Sequence, residues 1–334
     1  MSVAAADSAN RTGVYLRSYL APLTGMLARP DVTDIYVNRP SEIWVETTSG
    51  EIERHNAPGL DAATLERLAR QIAALSHQGI SREHPLLSGS LPDGARIQIV
   101  APPATRGPLA LAIRKHVSPE LELADYVASG AFGETKARRG FQTSGIDCDL
   151  AALLAAGDIA GMLAAAVKAR KNILVSGGTS TGKTTFLNAL LREVPSQERL
   201  ILIEDTPELH VVNENYVGLV AARSALGEAQ IDTDDLVAAS LRMRPDRIIL
   251  GELRGREAYS FLRAVNTGHP GSMTTVHSDS AEGAVEQVAL LVLQTGTRLS
   301  REDVHHYVKQ TVDVFVQLGR TGGKRHVAEV LLNR

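Results

Sequence analysis

ILVSGGTSTGKTTFLNALL, residues 173–191, runs from a short apolar strand through a glycine-rich turn into a helical segment. Its centre is Gly177, Gly178, Thr179, Ser180, Thr181, Gly182, Lys183 and Thr184, which matches the phosphate-loop pattern G-x-x-x-x-G-K-[ST] in full. The context matters as much as the pattern. Small residues let backbone N–H groups wrap phosphate oxygens, and the first turn of the following helix adds its positive end. Lys183 can reach the β- and γ-phosphates, and the Thr184 hydroxyl can ligate Mg²⁺. These residues and the adjoining Thr185 are the candidate nucleotide-binding set.

A phosphate loop binds nucleotide; hydrolysis also needs carboxylates on the metal and water side. Two apolar runs end in acids. RIILGE, residues 247–252, delivers Glu252, and LILIEDTPE, residues 200–208, delivers Glu204, Asp205 and Glu208. A carboxylate at the carboxyl end of a neighbouring strand can face Mg²⁺ or orient the attacking water. The ordinary alternative for each acid is a solvated strand end. Glu204 and Glu252 are the leading pair, and the residues leave open which of them is the base.

Outward from the loop, apolar runs at 173–175, 200–203, 248–250 and 312–318 alternate with helical segments. This is the pattern of strands buried on both faces of a mostly parallel α/β sheet. Residues 148–170 are helical in character. Upstream, residues 14–27 predict an amphipathic helix bent near Pro22, and DIYV and EIWVE predict two strands around an Asn38-Arg39-Pro40 turn. Residues 60–77 predict a helix buried by one face and capped by Asp61. Residues 91–100 and 109–114 predict strands separated by a Pro/Gly-rich loop at 102–108. The division is an α+β N-terminal domain at 1–134, a linker at 135–146 and an α/β domain at 147–334.

With 334 residues, 44% hydrophobic and 22% charged, the chain can bury two cores and is not disordered. Lys plus Arg is 35 against 38 Asp plus Glu, a formal charge of -3, and aromatics are only 4%. That balance argues against a nucleic-acid coat or a base-stacking platform. The lone cysteine, Cys148, rules out an intrachain disulfide and a multi-thiolate zinc site. Residues 1–12 do not read as a secretory signal, and no stretch reads as a membrane span, so the sequence predicts a soluble intracellular protein.

Four motifs in fixed order resemble the secretion-ATPase superfamily of type II secretion, type IV pili and type IV secretion. They are the Walker A loop at 177–184, an acidic box LIEDTPELH at 202–210, the Walker B-like LRMRPDRIILGE at 241–252, and a histidine box TGHPGSMTTVHS at 267–278. EDTPEL and NTGHPGSMTTVHS look most like the type IV traffic ATPases of conjugation and effector export. One cysteine cannot supply the tetracysteine zinc insertion of type II motors, and tight-adherence pilus ATPases are the nearest cousins. A looser likeness runs through DVTDIYVNRPSEIWVE, LPDGARIQIVAPP and LALAIRKH in the N-terminal part.

The resemblance implies a RecA-like P-loop NTPase motor domain behind a smaller PAS-like domain, with ATP and Mg²⁺ as ligands. It implies that Thr184, Asp205 and Glu252 act toward the metal, that Glu204 or Glu252 is the base, and that His277 senses the γ-phosphate. The plain alternative for His277 is a hydrogen-bonded structural histidine, the reading preferred for His269. It also implies that Arg96 and Arg114 approach nucleotide from the N-terminal domain, because a guanidinium neutralises charge on phosphoryl oxygens with two donors. Arg223, Arg242 and Arg244 are further candidates. Nucleotide held between the two domains would open and close them about the linker. The implied assembly is a homo-hexamer at the cytoplasmic face of the bacterial inner membrane. It would be attached through inner-membrane components and a second ATPase of the same system, without stable nucleic-acid binding. Rival readings are a nucleic-acid motor and a non-hydrolysing docking subunit.

Overall fold

The computed structural model describes residues 3–115, 122–128, 130–133, 135, 145–222 and 228–333, with side chains of the first helix from residue 15 onward. Most of the expected linker and Arg223 lie outside these residues. The chain begins with α1 (Val3–Ala28), which contains Pro22, and continues into β1 (Val32–Val37), β2 (Glu42–Thr47) and β3 (Ile52–Asn56). Then come α2 (Ala62–Leu75), β4 (Leu86–Ser90), β5 (Arg96–Val100) and β6 (Ala110–Arg114). These strands form one antiparallel sheet of order β3-β2-β1-β6-β5-β4.

Alternation along these strands decides the packing, because successive side chains face opposite sides. Ile35, Val37, Ile43, Val45, Ile97, Ile99, Leu111 and Ile113 pack with Leu16 and Leu23 of α1 and Leu65, Leu68 and Ile72 of α2. The intervening residues Tyr36, Trp44, Val100, Ala110 and Ala112 face the other way and join the core of the second sheet. Asp61 caps α2 as expected, accepting from the Thr64 N–H at 2.7 Å. Asp61→Ala should lower the urea midpoint, with little effect on turnover.

The short helix α3 (Leu123–Ala128) precedes α4 (Gly145–Ala155) and α5 (Ile159–Lys168). The second sheet comprises β7 (Ile173–Gly177), β8 (Leu200–Glu204), β9 (Tyr216–Val220), β10 (Arg247–Leu250), β11 (Met273–Val276), β12 (Val314–Thr321) and β13 (Lys324–Leu332). Its order is β13-β12-β7-β11-β10-β8-β9, parallel except for the edge strand β13. Helices α6 (Lys183–Leu191), α7 (Thr233–Ser240), α8 (Glu257–Asn266), α9 (Ala281–Leu293) and α10 (Arg301–Thr311) complete the chain. Ile173, Val175, Leu200, Leu202 and Ile249 pack with residues of α4, α5 and α6. Leu174, Ile201, Ile203, Ile248 and Leu250 pack with residues of α7 to α10. Both faces are covered, which is why these strands are continuous apolar runs in sequence.

Three expectations change. The strand expected at 91–100 starts at Arg96, because Leu91–Ala95 closes a turn in which the Gly94 N–H donates to the Leu91 carbonyl at 2.9 Å. The helical stretch at 148–170 is two helices, broken at Gly157 (φ 78°) and restarted by Asp158, whose carboxylate accepts from the Gly161 N–H at 2.9 Å. The last two residues of the expected linker, Gly145 and Ile146, already belong to α4.

The two sheets share a buried seam. Arg199, fully buried, stacks over the Tyr36 ring at 4.1 Å and donates to the Asn38 side-chain oxygen at 2.7 Å and the Met243 carbonyl at 3.0 Å. Burial pulls its guanidinium down to about 10. Asn38 donates to Asn215 at 3.0 Å, and Arg244 pairs with Glu46 at 2.6 Å. Parting the sheets along this seam would expose a stacked, hydrogen-bonded cation together with its apolar surround. No helix among the described residues is long and apolar enough to cross a membrane.

Candidate active site

Strand order places the chemistry. Counting from the phosphate-loop strand β7, the neighbours on one side are β11, β10 and β8, and each ends toward the loop. They deliver, in turn, His277, Glu252 and Glu204. With strands ~4.8 Å apart, His277 lies nearest to the loop and Glu204 farthest.

The loop itself turns from β7 into α6 through Gly182, whose φ of 91° is a left-handed conformation open to glycine at no steric cost. Lys183, largely buried, donates to the Gly177 carbonyl at 3.0 Å and lies 3.2 Å from His277 Nδ1 and 3.8 Å from Glu252 Oε1. An ammonium has only donors, so His277 Nδ1 accepts from it and Nε2 carries the proton. That Nε2 stands 3.0 Å from Glu252 Oε1, closing a Lys183–His277–Glu252 triangle. Burial lowers the Lys183 pKa; Glu252 opposes that effect and Arg254 adds to it. Arg254 also pairs with Glu252 and reaches Asp205 at 3.7 Å.

The triangle opens into a cavity of about 440 Å³. Its lining includes residues 179–185, Glu204, Asp205, Glu208, Glu252 and His277, so most of the sequence-predicted residues meet at one place. It also includes Arg254 and Arg325, which the sequence reading missed. Arg254 follows Glu252 by two positions, so spacing alone offered a signal. Arg325 comes from β13, where its Nε donates to the Ser180 carbonyl at 3.1 Å, and nothing local marks it.

Glu204 sits differently from Glu252. Its Oε1 accepts from the Glu208 and Leu209 N–H groups, both at 2.8 Å, and its Oε2 pairs with Arg106. The carboxylate is 4% exposed and bound into its own loop.

Arg96 and Arg114 do not line this cavity. They face each other across β5 and β6 and line a separate cleft with Arg242, and Arg114 pairs with Asp34 at 2.9 Å. Every residue lining the nucleotide-sized cavity lies between 179 and 325, so the cavity belongs to the second sheet rather than to a gap between domains. Arg244 pairs with Glu46 and Asp246, also away from the loop. His269 Nδ1 donates to the Ala264 carbonyl at 2.9 Å, as in a structural histidine.

Comparison with known proteins agrees with this layout. A model of the family described as Type II/IV secretion system protein matches residues 18–321. The chain is 37% identical over 334 aligned positions to Type IV secretion system protein VirB11 of Bartonella quintana, covering 96% of this chain and 94% of that protein. It is 35% identical to Type IV secretion system protein PtlH of Bordetella pertussis, covering 93% of each. The crystal structure of the VirB11 ATPase from the Brucella suis type IV secretion system, in complex with sulphate, matches with a TM-score of 0.90 at 37% identity, covering 98% of this chain and 97% of that one. The RecA-like α/β fold expected from the sequence is the fold found. The chain belongs to the type II/IV secretion system protein family and is an ATPase of its type IV secretion branch.

Proposed function

We propose that the chain hydrolyses Mg·ATP as one subunit of a ring of six that powers type IV secretion at the cytoplasmic face of the bacterial inner membrane. The observation that carries the catalytic part is the Lys183–His277–Glu252 triangle at the mouth of the phosphate loop. Lys183, already desolvated, would transfer its hydrogen bonds from loop carbonyls to β- and γ-phosphate oxygens. The sulphate in the related Brucella suis structure is an anion of the kind such a loop attracts.

The donor set suits Mg²⁺. Among the described residues no three His, Cys, Asp or Glu side chains gather into a cage. Mg²⁺ instead favours one or two carboxylates, a hydroxyl, waters and substrate phosphates, which matches Thr184, Asp205 and Glu252. The ion would supply charge neutralisation at the phosphates. Glu252, beside the lysine, would orient and deprotonate the attacking water. His277, half exposed and joined to both Lys183 and Glu252, would register whether a γ-phosphate is present. Arg96 and Arg114, remote from the cavity of their own chain, would act only after a rearrangement or across a subunit boundary. Association with the membrane would run through inner-membrane components and a second ATPase.

The test is phosphate release with Mg·ATP across protein concentration, with mass measured by light scattering in the same samples. Turnover should rise as a ring-sized species forms, and Lys183→Ala should remove at least about a hundredfold of it. Equal specific activity in a persistent monomer would overturn the ring.

A further inference from the structure

The Pro/Gly-rich loop between β5 and β6 is more than a connection. The Arg106 N–H donates to the Gly218 carbonyl at 2.8 Å, and the Val220 N–H donates to the Ala104 carbonyl at 2.9 Å. Thr105 bridges Leu219 in antiparallel fashion. Three residues carried by the N-terminal sheet thus extend the outer edge of β9, the edge strand of the catalytic sheet. Such an edge is otherwise a row of open donors and acceptors.

From this augmented edge the Arg106 side chain runs across β9 to the acidic box. Gly218 provides the passage: a Cβ there would stand 2.4 Å from Arg106 Cδ. The guanidinium then donates to the Leu209 carbonyl at 3.0 Å and pairs with Glu204 Oε2. Glu204 Oε1 is held by the N–H groups of Glu208 and Leu209. The box is therefore closed into a ring, and the guanidinium that braces Glu204 comes from the other sheet. Asp205, which faces the cavity, is the next residue after Glu204.

We infer that Arg106 is a positioning residue that holds Glu204 and the acidic box in place, making catalysis depend on the contact between the N-terminal and catalytic sheets. The inference rests on the ATP-hydrolysis reading above. The guanidinium is the partner of one buried Glu204 oxygen, and its removal leaves that oxygen without one. Displacement of the loop would loosen Asp205 with it, and misplacement on the ångström scale costs orders of magnitude in rate. Arg106 does not line the nucleotide-sized cavity, so it acts through Glu204 and the box.

The experiment measures kcat and KM for ATP in the full-length protein, with thermal melting alongside, for Arg106→Gln, Arg106→Lys and Gly218→Ala. Arg106→Gln should lower kcat about tenfold or more while KM stays within about twofold. Arg106→Lys restores charge without the fork and should recover part of the lost kcat. Gly218→Ala should reproduce the loss by pushing an intact arginine aside, and added guanidinium ion should partly rescue Arg106→Gln. A lower melting temperature with unchanged kcat would make Arg106 a mere edge seal and overturn the inference. If the wild-type chain does not hydrolyse ATP, the underlying reading fails instead, and the two outcomes are distinct.

Discussion

Glu252→Gln is expected to lower turnover by about two to four orders of magnitude while leaving nucleotide binding in place. The substitution keeps shape and the hydrogen bond: the amide oxygen can still accept from His277 Nε2, now 3.0 Å from the carboxylate. What it removes is the negative charge 3.8 Å from Lys183 and the capacity to take a proton from water. The phosphate loop is untouched, so a fluorescent ADP analogue should bind within a fewfold of wild type. Glu204→Gln makes the needed contrast. That carboxylate spends one oxygen on two backbone N–H groups and the other on Arg106, and it stands two strands beyond β11, the neighbour of the loop strand. An amide there would turn an N–H₂ group or lose a backbone bond at once, so its variant should lose thermal stability together with activity. The assignment of Glu252 as base is wrong if Glu252→Gln retains turnover within about threefold of wild type.

The difference between these two acids was the part of the site that the sequence could not separate. Each ends an apolar run, and their local patterns are equivalent; only strand order, a product of long-range pairing, puts one beside Lys183 and the other against Arg106. The phosphate loop was legible because its residues are contiguous and the spacing is itself the mechanism. Strands β7, β8, β10 and β12 were legible because burial on both faces makes them runs of apolar residues. Strand β13 was not: KRHVAEVLL is an edge strand whose first six residues are exposed, so it carries no such run. Strand β9 was hidden by Gly218, whose small size serves Arg106 rather than the strand. The roles suggested for Arg96 and Arg114 came from family likeness, and in this chain both point to another cleft. Arg106 lay inside a loop read only as a connector, since nothing in Pro102–Pro108 announces a partner so far along the chain.

The largest stability effect is expected far from the chemistry, at Glu198. Arg247, the first residue of β10, is fully buried, and Glu198 holds it in a fork, with Nε at 2.5 Å from Oε2 and Nη2 at 2.9 Å from Oε1. Its Nη1 donates to the Val167 and Gly271 carbonyls at 2.8 and 3.3 Å. The pair joins α5, the turn before β8, β10 and the turn before β11, so its geometry is fixed from several sides. Glu198→Gln leaves the guanidinium in place without its counter-charge, and breaking a buried pair from one side costs about 3–5 kcal/mol. Urea midpoints should fall accordingly, whereas Glu198→Leu combined with Arg247→Met should regain much of the loss, because it removes both desolvated charges. The pH dependence has a definite sign. Burial pushes the Glu198 carboxyl up, but hydrogen bonds and charge from Arg247, joined by Arg170, outweigh it and hold the group below the usual range. A carboxyl depressed in the folded state contributes stability above its unfolded pKa of about 4.3 and loses it as pH falls through the native value. Wild-type stability should therefore decline more steeply than that of Glu198→Gln as pH drops below about 4. Arg247 and Glu252 are separated by about 16 Å of extended chain. Folded Glu198→Gln should therefore keep kcat within about twofold of wild type, which separates holding the sheet from cleaving the nucleotide.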